Sequence, residues 1–277
     1  MSLLKHKFVL FFVVMVLGLP AFAEVVIVSG ILEPLEDADI SASVAGKIEA
    51  IHYREGQSVD KDTVVIQLMD KLELLEVDRR QVTFDSKAEL EAATARMETI
   101  KADLDSTQAL FETTGSISQE ELNNKELEYK LAIAERDREE NEEIREGIEL
   151  QMSKFQLQQR AVKAPFSGKV ADVFLDKGED CSPGEALFRL VDLSQCYFTC
   201  NVEAGPAACL EKGQTVDLEI DTGFNSVSRK GKIAFIGPTI DAASGLRKIK
   251  VLIDNADFSL TPGATGKLTI KIDPIVQ

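Results

Sequence analysis

The chain has 277 residues, with 47 aspartates and glutamates against 31 lysines and arginines, two histidines, four cysteines and a formal charge of -16. An acid excess of this size excludes nucleic acid as a partner, because phosphate recognition needs a cationic face. Two histidines exclude His-based metal clusters and most nucleophile–histidine catalytic arrangements.

Residues 1–23 read as a secretory signal peptide. Lys5-His6-Lys7 precedes an apolar run from Phe8 to Leu19, then Pro20 and an Ala21-Phe22-Ala23 cleavage site. The run is too short to span a bilayer comfortably. Cleavage after Ala23 gives a mature chain beginning at Glu24, without a cysteine there for a lipid anchor, and places it in the periplasm. Loss of Lys5 and Lys7 takes the formal charge from -16 to -18 and leaves His52 as the one histidine.

Residues 25–45 contain short strands, Val25 to Gly30 and then Ile40 to Ala42, so that an N-terminal stretch over 24–40 leads into a half-motif over 41–70. That half-motif recurs over 161–192. At a constant offset of 122, Gly46-Lys47-Ile48 matches Gly168-Lys169-Val170, Gly56 matches Gly178, Ile66 matches Phe188 and Asp70 matches Asp192. An unbroken register of this length is an internal duplication. Each half alternates apolar and polar residues about a turn, Arg54-Glu55-Gly56-Gln57 in one and Asp176-Lys177-Gly178-Glu179 in the other. Neither half can bury a core alone, so the two are expected to pair.

Between the halves, residues 71–160 read as two long antiparallel helices, with no proline from Pro34 to Pro165. Leu90, Met97, Leu104 and Phe111 recur every seven residues, with Ala93, Ile100 and Thr107 between them, as the seam of one helix. After a break at Thr113 to Ser116, the second helix is expected to answer with Leu127, Leu131, Ala134, Ile148, Met152 and Phe155. Arms of about forty residues reach about 60 Å and must project. Arg138, Asn141 and Arg145 fall on that second seam, which points either to a solvated helix or to a face completed by another copy. Gly147 suggests a bend. Gly115 allows the reversal, and Ser118 with Glu121 forms a capping box.

From Leu193 onward, segments at 197–202, 215–220, 231–236, 246–253 and 266–272, punctuated by glycine, predict a small β-barrel over 193–277, with a short helix across 203–210. Cys196 and Cys200 lie about 13 Å apart along one strand and cannot bridge each other. Cys200, or Cys196, can reach Cys209, and the alternative is buried thiols. No nucleophile–base pair, paired-carboxylate motif or phosphate loop occurs, so no enzyme is expected. Neither a cofactor nor a metal site is expected either.

A duplicated half-motif split by a long helical hairpin and followed by a barrel with Gly231-Lys232-Ile233-Ala234-Phe235-Ile236-Gly237-Pro238, Asp241-Ala242-Ala243-Ser244-Gly245, Asn255 and Leu260-Thr261-Pro262-Gly263 resembles the periplasmic adaptor proteins, or membrane fusion proteins, of efflux pumps. The resemblance implies an elongated α+β fold, namely a split lipoyl-like β-sandwich, an inserted antiparallel coiled-coil hairpin and a small β-barrel. It implies a non-catalytic adaptor between an inner-membrane transporter of RND or ABC type and a TolC-like outer-membrane channel, assembled as a homo-oligomer, six copies in the complex. The family's membrane-proximal domain has only the strands of 24–40 as its counterpart here. The resemblance further implies that the hairpin tip docks on the channel, through Gly115, Ile117 and Ser118, with Phe111 and Thr107 where the family motif has leucine and arginine. The alternative is a lipoyl or biotinyl carrier subunit, but Lys71 opens a helix where a carrier needs a tight turn.

Overall fold

The computed structural model describes residues 24–223 and 225–272, so the leader expected over residues 1–23 lies outside the described residues. In chain order the elements are β1 (Glu24–Ser41), β2 (Gly46–Ile51), β3 (Ser58–Val59), β4 (Val64–Leu68), α1 (Lys71–Asp85), α2 (Ala88–Thr114), α3 (Gln119–Gln158), β5 (Ala161–Lys163), β6 (Gly168–Val173), β7 (Asp180–Cys181), β8 (Ala186–Glu203), α4 (Ala204–Ala208), β9 (Thr215–Asp221), β10 (Ser226–Ile236), β11 (Leu246–Asp254) and β12 (Thr265–Ile272). The described residues form two compact units, one of residues 36–192, the other of the described residues before and after them.

In the unit at 36–192 the duplication becomes a pair of interlocked half-motifs. Gly46 on β2 lies opposite Cys181 on β7, and its equivalent Gly168 on β6 lies opposite Val59 on β3, so each half lends its shortest strand to the other. The longer ladders repeat in the same way: Ile48 pairs with Leu68 ahead of a bulge at 49, and Val170 with Leu190 ahead of a bulge at 171. The turn glycines complete the exchange. Gly56 and Gly178 both adopt positive φ, and each donates its N–H to the opposite half, to Val170 O at 2.8 Å and to Ile48 O at 2.9 Å. The core is made of equivalent pairs, Ala42 with Ala164, Ile48 with Val170, Val59 with Cys181, Val65 with Leu187, Ile66 with Phe188 and Leu68 with Leu190, none more than 3% exposed. Cys181 therefore does the work of the valine it replaces.

The hairpin departs from the sequence expectation in three ways. First, the first arm is two helices, α1 and α2, parted at Ser86-Lys87. Second, α3 runs unbroken through Gly147. A Cβ there would come 3.0 Å from the Phe84 ring, so the glycine admits that ring from the facing arm. Third, the seam on α3 is not the one expected. Leu127, Leu131, Ile148, Met152 and Phe155 are between 54% and 63% exposed, and Ala134 is exposed too. The buried side carries Leu122, Ala132, Leu150 and Ser153 instead. Half-buried Tyr129 and Leu157 continue it on the same three- and four-residue spacing. Two leucines and two small residues fill that side, and on α2 Ala93 and Thr107 are likewise the buried seam residues while Leu90, Met97 and Leu104 are half-buried, so the arms approach closely at the small positions.

Ion pairs across the arms fix their register: Asp103 with Lys125 at 2.6 Å, Arg96 with Glu135 at 2.9 Å, Lys87 with Glu143 at 2.9 Å, and Arg80 with Glu149. At the base Arg160 donates to Glu73 at 2.5 Å and to Ala45 O at 2.8 Å, tying the end of α3 to α1 and to the approach of β2.

In the other unit six strands close a barrel in the order β1, β12, β9, β10, β11, β8, with β8 pairing back onto β1. What the sequence suggests as short N-terminal strands is a single strand, β1, whose first residues pair with β12 from Glu24 opposite Ile272 to Ile31 opposite Thr265. Phe198, Ile249, Val251, Leu218 and Leu268 fill the barrel. Asn255, fully buried, donates to Leu193 O at 2.9 Å and Leu260 O at 3.0 Å and accepts from Leu260 N at 2.9 Å, so it pins the segment after β11 with its amide satisfied.

Candidate functional site

The hairpin tip is built by two caps. Gly115 follows α2 in the left-handed region at φ 63° and donates its N–H to Phe111 O at 3.3 Å, which ends the helix. Ser118 is extended, and its Oγ accepts from Glu121 N at 3.1 Å, which starts α3. This is the serine half of the expected capping box. Between the caps the Thr114 and Ser116 hydroxyls are hydrogen-bonded to each other.

Four of the five expected docking residues come together here: Phe111 and Ile117 are half-buried, and Gly115 and Ser118 frame the turn. Leu110, which the sequence reading passed over, adds an apolar surface 49% exposed. Thr107 lies elsewhere. It is 9% exposed in the seam about two turns below, with its hydroxyl donating to Asp103 O at 2.9 Å. It packs the arms together and presents nothing outward. No lysine or arginine occurs between Lys101 and Lys125, while Glu112, Glu120 and Glu121 are exposed, so the tip offers an apolar patch with an acidic rim.

Cys181, Cys196 and Cys200 are buried and Cys209 is exposed, and the bridge from Cys200 or Cys196 to Cys209 that the spacing allowed is not formed in this structure. Burial pushes the Cys200 thiol up to about 12, so it is held as a neutral apolar group. Lys71 is the first residue of α1, after Asp70. No group of three or more potential metal ligands occurs among the described residues, and no described helix is long and apolar enough to cross a membrane.

A duplicated, interlocked half-motif split by a long helical hairpin, with a six-stranded barrel beside it in the chain, defines a class. The chain has the fold of the membrane fusion, or periplasmic adaptor, proteins of efflux systems. Among solved structures it is similar to MacA from Actinobacillus actinomycetemcomitans, with a TM-score of 0.67 and 20% identity over 91% of this chain and 79% of that one. It is also similar to the membrane fusion protein Spr0693 from Streptococcus pneumoniae R6, with a TM-score of 0.57 and 14% identity over 89% of this chain and 99% of that one. In sequence it is 25% identical over 261 residues to the multidrug resistance protein MdtA of Photorhabdus laumondii, covering 89% of this chain and 60% of the relative. The cobalt-zinc-cadmium resistance protein CzcB of Cupriavidus metallidurans is 22% identical over 226 residues, covering 82% of this chain and 41% of the relative. An uncharacterized protein of Haemophilus influenzae is 22% identical over 245 residues, of which the chain spans 56% of the relative's length. The chain thus spans between about two fifths and three fifths of the length of these three curated relatives. No family model matches it.

Proposed function

We propose that this chain is a non-catalytic periplasmic adaptor that links an inner-membrane transporter, of RND or ABC type, to an outer-membrane channel, several copies standing together around the path of export. One observation carries the reading. Where a carrier domain needs a tight lysine turn between its halves, this chain inserts a hairpin whose second arm, of 40 residues, is about 60 Å long and ends in an apolar, acid-rimmed tip. A spacer of that length with a dockable end has the geometry of a bridge and contributes nothing to carrying a prosthetic group. The names of the relatives, multidrug and metal-resistance proteins among them, support export as the process. The tip contacts the channel through Phe111, Ile117 and the turn of Gly115 and Ser118, and its acidic rim favours a channel surface with basic residues. Thr107 takes no part in that contact.

The test is export of a cargo in cells, together with co-purification of transporter and channel. Phe111→Asp places a charge in the apolar patch, and it is expected to leave the melting of the isolated protein nearly unchanged while abolishing export and loss-free capture of the channel. Unimpaired export with that substitution makes the tip a cap and nothing more. The carrier alternative rests on the duplicated half-motif, and a lipoyl or biotinyl adduct on Lys71 in mass spectra of the mature chain establishes it in place of the adaptor.

A further inference from the structure

At its root the hairpin meets the repeat with little packing. No residue of α1 is buried, and on α3 none is buried beyond Ser153. Leu72 and Leu75 near the start of α1 and Phe155 near the end of α3 are exposed. A lever of about 60 Å therefore stands on a seat that apolar contact does not fix. One side chain supplies polar contact instead. Arg160, just after α3, turns its guanidinium so that Nη2 donates to Glu73 Oε1 at 2.5 Å in the first turn of α1, and Nη1 donates to Ala45 O at 2.8 Å ahead of β2. The paired side chains are only 21% and 20% exposed, so water competes little for them. The Arg160 carbonyl in turn accepts from Leu68 N, on β4, at 2.9 Å. One residue thus joins the ends of both arms to two strands of the repeat. The other salt bridges of α1, α2 and α3 among the described residues stay within the hairpin.

The sequence leaves room for this side chain. Gly46, beside Ala45, does not hold a positive φ, so its backbone conformation makes no demand for glycine. The space does. A Cβ at position 46 would lie 2.7 Å from Arg160 Nη1, whereas its next neighbours, in Leu68, come no closer than 3.4 Å. The duplication supplies a control. At the equivalent Gly168 a Cβ would meet Val191 O at 2.6 Å, a backbone atom, so the second half needs its glycine for the approach of two strands. One repeat position thus carries glycine for two reasons, and the reason at 46 exists only where the hairpin enters.

We infer that Arg160 is the positioning residue of the hairpin: its guanidinium, seated against Gly46 and holding Glu73, sets the angle at which both arms leave the repeat. The inference rests on the adaptor reading for its purpose, since a bridge needs an aimed tip. A tilt of about 10° at the root displaces the end of an arm of about 60 Å by roughly 10 Å, the diameter of a helix. Arginine suits the task because its planar fork reaches two acceptors in different directions at once, where a lysine ammonium is a point charge on a flexible stem. Releasing the guanidinium frees the direction of the hairpin without parting its arms. Those are held to each other farther out by buried Ala93, Ala132 and Leu150 and by the ion pairs of Arg96 with Glu135 and Lys87 with Glu143.

Pulsed electron paramagnetic resonance on the full chain tests this. In a Cys209→Ser background, which removes the exposed thiol, spin labels at K177C on the repeat and K130C on α3 read the aim of the hairpin, and labels at E98C and K130C read the spacing of its arms. Arg160→Ala, Glu73→Gln and Gly46→Ala are each expected to widen the repeat-to-hairpin distance distribution about two-fold, or to move its mean by more than about 5 Å, while the arm-to-arm distribution and the helix content stay as in the parent. Gly46→Ala acts by evicting the guanidinium, so in an Arg160→Ala background it is expected to add nothing. An unchanged repeat-to-hairpin distribution in Arg160→Ala and Glu73→Gln overturns the proposal. A further widening when Gly46→Ala is added to Arg160→Ala overturns the seat, and arm-to-arm distances that change as well make Arg160 a residue of the fold and overturn its role in aim. If Arg160→Ala does not fold, Glu73→Gln and Gly46→Ala read the same quantity. Export separates this inference from the adaptor reading. A hairpin that swings in these variants while export continues keeps the positioning role and removes the bridge, whereas a hairpin that stays fixed while Phe111→Asp abolishes export removes the positioning role and keeps the bridge.

Discussion

In the duplicated half-motifs twelve apolar residues, arranged as six equivalent pairs, are each at most 3% exposed, whereas α1, α2 and α3 together bury only six residues, two of them Thr107 and Ser153. The repeat is a closed core, and the hairpin is a strut held at its ends. Its base is tied by Arg160 to Glu73 and Ala45, its tip by the Gly115 and Ser118 caps, and its length by exposed, solvent-screened ion pairs that add little stability. The difference teaches where each part gets its stability: the repeat from a closed core, the hairpin from anchorage at its base and caps at its tip.

Phe188 is the most direct way to break the comparison. It is fully buried at the centre of the repeat, and Phe188→Ala is expected to cost about 3–5 kcal/mol through lost burial and the cavity left behind. Chemical denaturation of the purified chain measures it. A loss below about 1 kcal/mol would mean that the repeat is no tighter than the hairpin.

A pair of leucines on α3 sharpens the contrast inside the hairpin itself. Leu150, 4% exposed, faces α1, and Leu150→Ala is expected to cost about 2–3 kcal/mol. Leu131, 63% exposed, faces outward, and Leu131→Ala is expected to change the stability of the isolated chain by less than about 0.5 kcal/mol. Helix melting followed by circular dichroism at low protein concentration reads both. The reverse order would restore Leu131 to the seam.

The smallest effect tests the symmetry of the repeat. Asp62 holds φ at 64°, and its equivalent 122 residues on is Gly184 at φ 82°. Their N–H groups bond across the halves, to Ala164 O at 2.8 Å and to Ala42 O at 3.0 Å. Asp62→Gly is expected to stabilise by about 0.5 kcal/mol and Gly184→Ala to destabilise by about 1 kcal/mol, since only glycine takes this conformation without strain. Shifts of the urea midpoint at constant slope would report these, and equal effects of opposite variants at both sites would contradict the equivalence.

Much of the repeat was legible in the chain because its pattern is local and doubled. Matching residues at one offset, such as Ile66 with Phe188 or Gly56 with Gly178, state which positions must share a core and a turn before any strand is placed. The barrel strands were legible for the same reason, as alternation with glycine at the turns. At the tip, Gly115 and Ser118 were readable because capping is chemistry between neighbours in sequence. Thr107 was read two ways, as a residue of the helix seam and as a docking residue, and its burial against the facing arm agrees with the first.

The sequence by itself determined that a duplicated core is interrupted by a helical hairpin of two long arms, since periodicity and repetition are properties of the chain alone. It could not determine which side of α3 turns inward, because that helix carries two heptad stripes at once. The more hydrophobic stripe, Leu127, Leu131, Ile148, Met152 and Phe155, looks like the seam, yet it faces out. The rotation of a helix about its own axis is set where it is held, by Ser118 at one end, by Arg160 at the other and by Gly147 receiving the Phe84 ring between them. Close approach through Ala93, Ala132 and Ser153, with Leu122 and Leu150 beside them, then outweighs the larger apolar residues on the far side, which the tertiary structure leaves exposed.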